Sequence, residues 1–497
     1  LPICRYTPSS TLQRMELLKT GYMGTLSLGW DNYLFLELTG RQERSSTLKD
    51  QSFFYPSANL SFLFTQAFHM PSWWNYGKLR LSYGIVGNAP ETYTANIVYE
   101  QGSDNGFTWN TIPSSWGNAD IRPEKKYEYE IGLESKFLNN RLGIDISYYN
   151  NRVKDQILST PQPSTSGVKN VLMNVGEVAN RGWDISISAT PILTRDFRWD
   201  LTANYGVYKN KVVKLADGVP YLEILNSGGS GIKIQAVEGQ PMGDIYAQVP
   251  QVNENGEYLV SDKGLYLNQT ELQKVGNINP AGVGGLFNSF SYKNVFLDFS
   301  IDFRIGGDVI NEMNQYATAV GLTPESLKYR DTEHGGLSYY YPGDNNSSGI
   351  PVQVDPSTGA GPNGEIIYHD GIILPGVVAS TGERNTRIIP AGYYYNTTYN
   401  WGTEAEQLTY RHSVFDNSYV KLRELTIGYQ FPEKMISKLG LGRLSVSVFG
   451  RNLFYFYKAL KNYDAESSVG TSWANQATVG SSTTATRSFG VSLRASF

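Results

Sequence analysis

The sequence offers few side chains that could do covalent chemistry. Its four histidines, His69, His334, His369 and His412, are scattered. None falls in a His-Glu-x-x-His run or at a spacing that would set two imidazoles on one metal, so each is expected to be a loop or rim residue. One cysteine, Cys4, can build neither an internal disulfide framework nor a Cys-based zinc site. Ser-Gly-Gly-Ser-Gly at 227–231 lacks the strand–Gly-x-Ser-x-Gly–helix setting of a nucleophile elbow and reads as a flexible loop tip. No phosphate-cradling Gly-Lys-Ser/Thr motif occurs. Asn346-Ser347-Ser348 and Asn396-Thr397-Thr398 are formal glycosylation sequons, read here as polar loops. No catalytic, cofactor or metal residue is assigned, and the chain is not expected to be an enzyme.

Aromatic side chains in connecting segments remain. Trp109 and Trp116 lie within 88–123, and Tyr339-Tyr340-Tyr341 and Tyr393-Tyr394-Tyr395 within 307–417. Aromatic faces stack on sugar rings and equally dock a protein. These eight are the expected substrate or protein-docking contacts, with ordinary packing inside the loops as the competing role.

The elements that must position them are strands. In 295–306, Val295, Leu297, Phe299, Ile301, Phe303 and Ile305 share one face, and Asp298, Ser300, Asp302 and Arg304 the other. Wound as a helix, the apolar set would point in every direction, so the two-residue period wins. Residues 127–137 repeat it: Tyr127, Tyr129, Ile131, Leu133 and Phe137 oppose Glu128, Glu130, Glu134 and Lys136. Eleven further strands are expected at 22–30, 32–42, 57–66, 78–87, 142–158, 180–190, 197–209, 284–293, 418–431, 443–453 and 486–497.

The composition narrows the class. The chain has 497 residues, a net charge of −4, 18% charged residues, 50 Gly and 35 Tyr. Soluble domains carry about 25% charged residues, yet mean hydropathy here is negative. No stretch approaches the ~18 apolar residues of a spanning helix, which excludes an α-helical membrane protein. The near-neutral balance gives no footprint for nucleic acid. The connections alternate between short (Asp31, 67–77, 139–141, 191–196, Asn294, 432–442) and long (43–56, 88–123, 159–179, 210–283, 307–417, 454–485). An outer-membrane β-barrel has that asymmetry, with short periplasmic turns, long extracellular loops and aromatic girdles. Glu128, Glu130, Glu134, Asp298, Asp302 and Arg304 then face the lumen, and Tyr148, Tyr149, Tyr205 and Tyr208 are expected in interfacial belts.

Several segments resemble a known family in this order: Gly117 to Lys125 (GNADIRPEK), Leu138 to Leu142 (LNNRL), Ile144 to Asn150 (IDISYYN), Asn174 to Gly182 (NVGEVANRG), Gly276 to Pro280 (GNINP) and Asp416 to Tyr429 (DNSYVKLRELTIGY). They are similar to the C-terminal half of SusC/RagA-family TonB-linked outer-membrane proteins of Bacteroidetes. The likeness runs from about residue 22 onward, while 1–21 match poorly. It implies an all-β transmembrane antiparallel barrel of about 22 strands, of which these are the last thirteen. It implies active import of glycans or peptides, a SusD-like lipoprotein lid and energy from TonB–ExbB–ExbD acting on a plug. The plug, TonB box, signal peptide and upstream strands are expected outside this sequence. Phe489, Val491, Leu493, Ala495 and Phe497 alternate outward, and Gly490, Leu493, Ala495 and Phe497 resemble a C-terminal barrel-assembly signal. Before Gly276, Asn253-Glu254-Asn255-Gly256-Glu257 and Ser261-Asp262-Lys263-Gly264 stand where many relatives carry an Asp-rich, calcium-loop-like stretch. Their spacing departs from the calcium-loop pattern. A passive porin or adhesin, or a soluble carbohydrate-binding β protein, are the competing classes.

Overall fold

The computed structural model describes residues 15–49, 52–104, 107–227, 231–343, 349–400, 409–467, 472–480 and 485–496. Thirteen long strands are hydrogen-bonded neighbours in chain order: β1 (Lys19–Trp30), β2 (Leu34–Ser45), β3 (Ser52–Phe62), β4 (Trp74–Asn88), β5 (Glu124–Phe137), β6 (Leu142–Lys154), β7 (Glu177–Leu193), β8 (Phe197–Lys214), β9 (Gly282–Tyr292), β10 (Val295–Ile305), β11 (Tyr419–Gln430), β12 (Arg443–Lys458) and β13 (Ser488–Ser496). Each exceeds or meets the ~9 residues a tilted strand needs to span a bilayer. The chain divides into two compact units, one of 1–185, 209–222 and 237–239, the other of 186–208, 223–236 and 240–497.

In the first unit, the alternation inverts the burial of a soluble sheet. Leu81, Ile131 and Tyr148 line up across β4, β5 and β6, as do Leu79, Leu133 and Ile146. Ile131 is 47% and Leu133 42% exposed, whereas Asn151, paired with Glu128 on the other face, is buried. Water would penalise that arrangement and lipid does not. The opposite face carries an ion pair of Arg80 Nη2 with Asp145 Oδ1 (2.6 Å) and a looser one with Glu134 (3.6 Å). The second unit repeats the pattern through Leu297, Ile427, Val448 and Val491. Exposure there reaches 56% at Val448 and 72% at Val491.

The turn ends fit their sequences. Asp31 and Asn32 both have positive φ (48° and 57°), and Tyr33 N donates to Trp30 O (3.2 Å), a reversed turn matched to strand twist. Leu138, Asn139 and Asn140 are likewise left-handed. Aromatic residues gather beside these turns: Trp73 stacks on Phe137 (5.9 Å) and Trp74 meets Phe64 edge-on (5.3 Å). In the second unit Trp199 stacks on Phe290 (5.5 Å), which stacks on Phe299 (6.0 Å).

Some boundaries move. The connection expected at 43–56 contracts to 46–51, because β2 and β3 stay paired to Arg44 and Ser52. It is therefore shorter than 63–73 on the turn side, and strict alternation of loop length fails at that hairpin. β6 stops at Lys154, where Asp155 takes φ 55° and Ile157–Pro161 enters a loop hairpin. β8 and β12 run on to Lys214 and Lys458. The tyrosine belt is also halved. Tyr148 packs on Trp183 (4.9 Å) and Tyr205 on Phe303 (6.2 Å). Tyr149 pairs with Glu130 on the opposite face from Tyr148, and Tyr208 donates its hydroxyl to Asn279 Oδ1 (2.8 Å). Neighbours along a strand point to opposite faces, so two adjacent tyrosines cannot share a belt. At the C-terminal strand, Gly490 lies under the Phe449 ring, Leu493 is exposed and pairs with Val446, and Ala495 pairs with Leu444. Phe497 lies outside the described residues.

Candidate functional site

The long connections of the second unit form a folded layer with its own cores. Ile232–Val237, Asp244–Ala247 and Gln273–Asn277 pair in one sheet. Ile232, Ile234, Ile245 and Ala247 from it pack with Ile278, Ile310, Tyr410 and Val414. A second sheet joins Leu337–Tyr340 to Val352–Gln353 and Tyr368–Ile372, with Ile389–Pro390 at its far side. A helix over Glu312–Ala319 is capped by Asn311, whose Oδ1 accepts from Asn314 N (2.9 Å). Another spans Ala391–Tyr399 behind Pro390. A loop of this size must enclose apolar side chains to fix its backbone against the entropy of an open chain.

The segments that carried the family resemblance sit where these loops leave the strands. Asn277 Nδ2 donates to Asp244 Oδ1 (2.7 Å), and its backbone N donates to Asp308 Oδ2 (2.9 Å). Asn279 Nδ2 donates to Met242 O (2.6 Å) and Arg304 Nη2 to Ile278 O (3.1 Å). Asp416 Oδ1 accepts from Ser418 N, and Ser418 Oγ accepts from Gly306 N (2.7 Å). In the first unit Asn174 exchanges hydrogen bonds with both backbone groups of Arg122. These asparagines stand in for missing ladder partners where strand becomes loop. The Asn253 to Glu257 stretch is a turn in which Asn253 Oδ1 already accepts from Asn255 N and Glu257 N.

The eight aromatic residues divide. Trp109 (exposed) and Trp116, whose ring meets Tyr99 edge-on (6.1 Å), belong to the first unit. Six tyrosines belong to the second. Tyr339 is 1% exposed, stacks on Tyr368 (5.5 Å) and donates its hydroxyl to Asp370 (3.1 Å). Tyr341 is buried against Tyr339 and Ile388. Tyr395 is buried and donates to Glu325 O (2.8 Å). These three rings are engaged in core packing. Tyr340, Tyr393 and Tyr394 stay partly open.

A cavity of about 320 Å³ gathers Tyr341 and Tyr393 with Lys263, Arg387, Pro351 and Pro390. Burial raises the Tyr341 hydroxyl pKa, with the Arg387 charge acting the other way. Neither Lys263 nor Arg387 has a sequence signal, because each is one cation in a polar loop until the fold joins segments 124 positions apart. A second cavity of about 300 Å³ is lined by Asn314, Glu325, Tyr399, His412, Lys461 and Asn462. His412 stacks on Tyr399 (4.4 Å), and burial, aided by Arg411, pushes it down to about 4. His334 pairs with Asp331 (2.7 Å) and His369 with Ser338 Oγ (2.8 Å). At the loop root, Glu466 reaches Lys421, which is buried, and Arg423, which also holds Asp302 (2.5 Å each).

Residues 6–244 match the family model described as TonB dependent receptor-like, beta-barrel. TonB-dependent receptor P3 of Formosa agariphila is 24% identical over 494 residues, covering 90% of this chain and 42% of that protein. TonB-dependent receptor SusC of Bacteroides thetaiotaomicron is 30% identical over 247 residues, 46% of this chain and 24% of that protein. Among solved structures, the RagAB peptide transporter superposes with a TM-score of 0.62 at 18% identity, over 89% of this chain and 44% of that one. The chain thus spans less than half the length of these relatives.

Proposed function

We propose that the chain is a TonB-dependent receptor β-barrel portion of the SusC/RagA kind in the outer membrane, and that it forms the conduit and loop layer of an active nutrient importer. The family-model match over 6–244, the SusC relative and the RagAB-like fold support this reading. The supporting observation is the pairing of a lipid-facing apolar wall with a folded loop layer rooted by partly buried polar bonds. A rigid layer of this kind can present contacts to a ligand and a docking rim to a SusD-like lipoprotein. Trp109, Trp116 and the open tyrosines are candidates for those contacts, and Gly490, Leu493, Ala495 and Phe497 for the assembly signal. TonB–ExbB–ExbD supplies the energy in this reading by pulling on a plug, and the polar inner face passes an oligosaccharide or a peptide. The RagAB neighbour is a peptide transporter, and the SusC relative supports the same machinery. The barrel's own role is passive, without catalysis.

Deletion of the gene should abolish growth on one defined glycan or peptide source and spare others, with restoration by the full-length gene. Unimpaired growth on every source would remove an indispensable import role.

A further inference from the structure

The cavity of about 300 Å³ beside His412 is walled by the Glu312–Ala319 helix, the end of the Ala391–Tyr399 helix and residues 459–462, all of the second unit. Each wall is anchored. Leu460 is buried with Val309 and Val479, which fixes Lys461 and Asn462 beside it. Asn462 Nδ2 donates to Asn314 Oδ1 (2.9 Å) and to Glu325 Oε2 (3.2 Å), tying that segment to the helix and to Glu325 beyond it. Tyr399 shares a hydrogen bond with Tyr394 and carries the His412 ring on its own (4.4 Å, 18° between planes). Phe415 completes an aromatic side.

Two enclosed polar groups at this cavity are unused. Asn314 is 6% exposed, yet its Nδ2 has no acceptor among the described residues. The His412 imidazole, enclosed and neutral, also forms no hydrogen bond among the described residues. It leaves one N–H donor and one acceptor nitrogen. An enclosed donor without an acceptor is costly, so such groups mark a place for a polar occupant. Burial works against the Glu325 carboxylate, yet hydrogen bonds from its own backbone, Asn462 and Thr323, with the Lys461 charge, hold its pKa below the usual range. That carboxylate and the Lys461 ammonium cancel, and the lining carries no net charge.

We infer that this cavity is a subsite for one neutral pyranose ring. A hydroxyl accepts and donates at once, so one sugar answers the Asn314 N–H groups, the His412 nitrogens and the Glu325 carboxylate together. Its C–H face lies against the aromatic side formed by Tyr399 and Phe415. A uronate would set a second carboxylate beside Glu325. A zwitterionic dipeptide matches the two charges but places no ring on the aromatic side. This subsite deepens the import reading and rests on it for its biological use, but its binding test stands apart.

The full-length protein, purified in detergent with any co-purifying lipoprotein, is titrated at neutral pH by saturation-transfer NMR. The probes are the methyl glycosides of glucose, galactose, mannose and xylose, with methyl galacturonate glycoside and Ala-Ala as competitors. At least one neutral glycoside should bind, with little change on adding salt. His412→Phe keeps a ring on Tyr399 and removes both nitrogens, and should weaken binding about tenfold or more. Asn314→Asp keeps the acceptor for Asn462, removes the N–H groups and should weaken binding as well. Lys461→Met, at the exposed rim, should cost about threefold and serves if the enclosed variants fail to fold. The bound glycoside should also slow amide hydrogen exchange across 312–319 and 459–462. Preference for the uronate or the dipeptide, unchanged affinity in all three variants, or slowed exchange only elsewhere overturns the subsite. Absence of glycoside binding, with growth on a glycan lost in the deletion strain, overturns the subsite and leaves import standing. Glycoside binding at these residues with growth intact on every source does the reverse.

Discussion

In the strand wall, Ile131, Leu133 and Val448 stand exposed while Asn151 is buried. In the loop layer of the second unit, Ile232, Ile234, Ile245, Leu265 and Ile310 are fully enclosed. The same residue types thus serve opposite ends. The wall satisfies its backbone through the ladder and offers side chains to lipid, which rewards no burial between strands. The loop layer faces water and must gather a core of its own. One chain therefore holds two solvents' rules, and the junction between them is where Asn277, Asn279, Asp416 and Ser418 concentrate their hydrogen bonds.

The contrast breaks most sharply on truncating one isoleucine in each region. Ile245→Ala in the loop core should cost the loop layer about 2–5 kcal/mol, read as faster proteolytic clipping of 223–281 with the barrel still resistant. Placing charge on the outer wall, Ile131→Arg, should cost about 2–4 kcal/mol near mid-bilayer, read as loss of heat-resistant folded barrel in lipid. The loop layer should also soften in acid. His412 is neutral in the fold and protonates only near 4, against 6.5 for an ordinary histidine. Between those values the unfolded loop binds the extra proton, so stability rises with pH across the window. The effect should approach about 3 kcal/mol once pH falls to 4. His412→Phe should flatten that dependence in a proteolysis titration. The smallest effect sharpens the comparison: Ile131→Ala should cost less than about 1 kcal/mol, because its side chain leaves lipid for lipid. A loss equal to that of Ile245→Ala would mean the outer face is packed against protein.

Much of the wall was legible, since a period of two over eleven residues in 295–305 admits one local conformation. The aromatic contacts were less so. Tyr339-Tyr340-Tyr341 reads as three equivalent rings, yet the strand sends Tyr339 and Tyr341 into the core and leaves Tyr340 partly open. Tyr148 and Tyr149 likewise take opposite faces. Alternation could have predicted both splits. Nothing in the sequence could have joined Lys263 to Arg387, or Glu466 to Lys421 and Arg423, because those meetings depend on how loops return to one another.

By itself, the sequence determined the strands, their lipid-facing rows, the tight turns at Asp31-Asn32 and Asn139-Asn140, and the family likeness. All of these are set by interactions among near neighbours or by a short repeating pattern. Only the tertiary structure decided where β2 and β3 stop pairing, which tyrosines remain open, and that two cations share a cavity. Those outcomes depend on long-range closure, where many loop paths have similar local energy and the enclosed core selects among them.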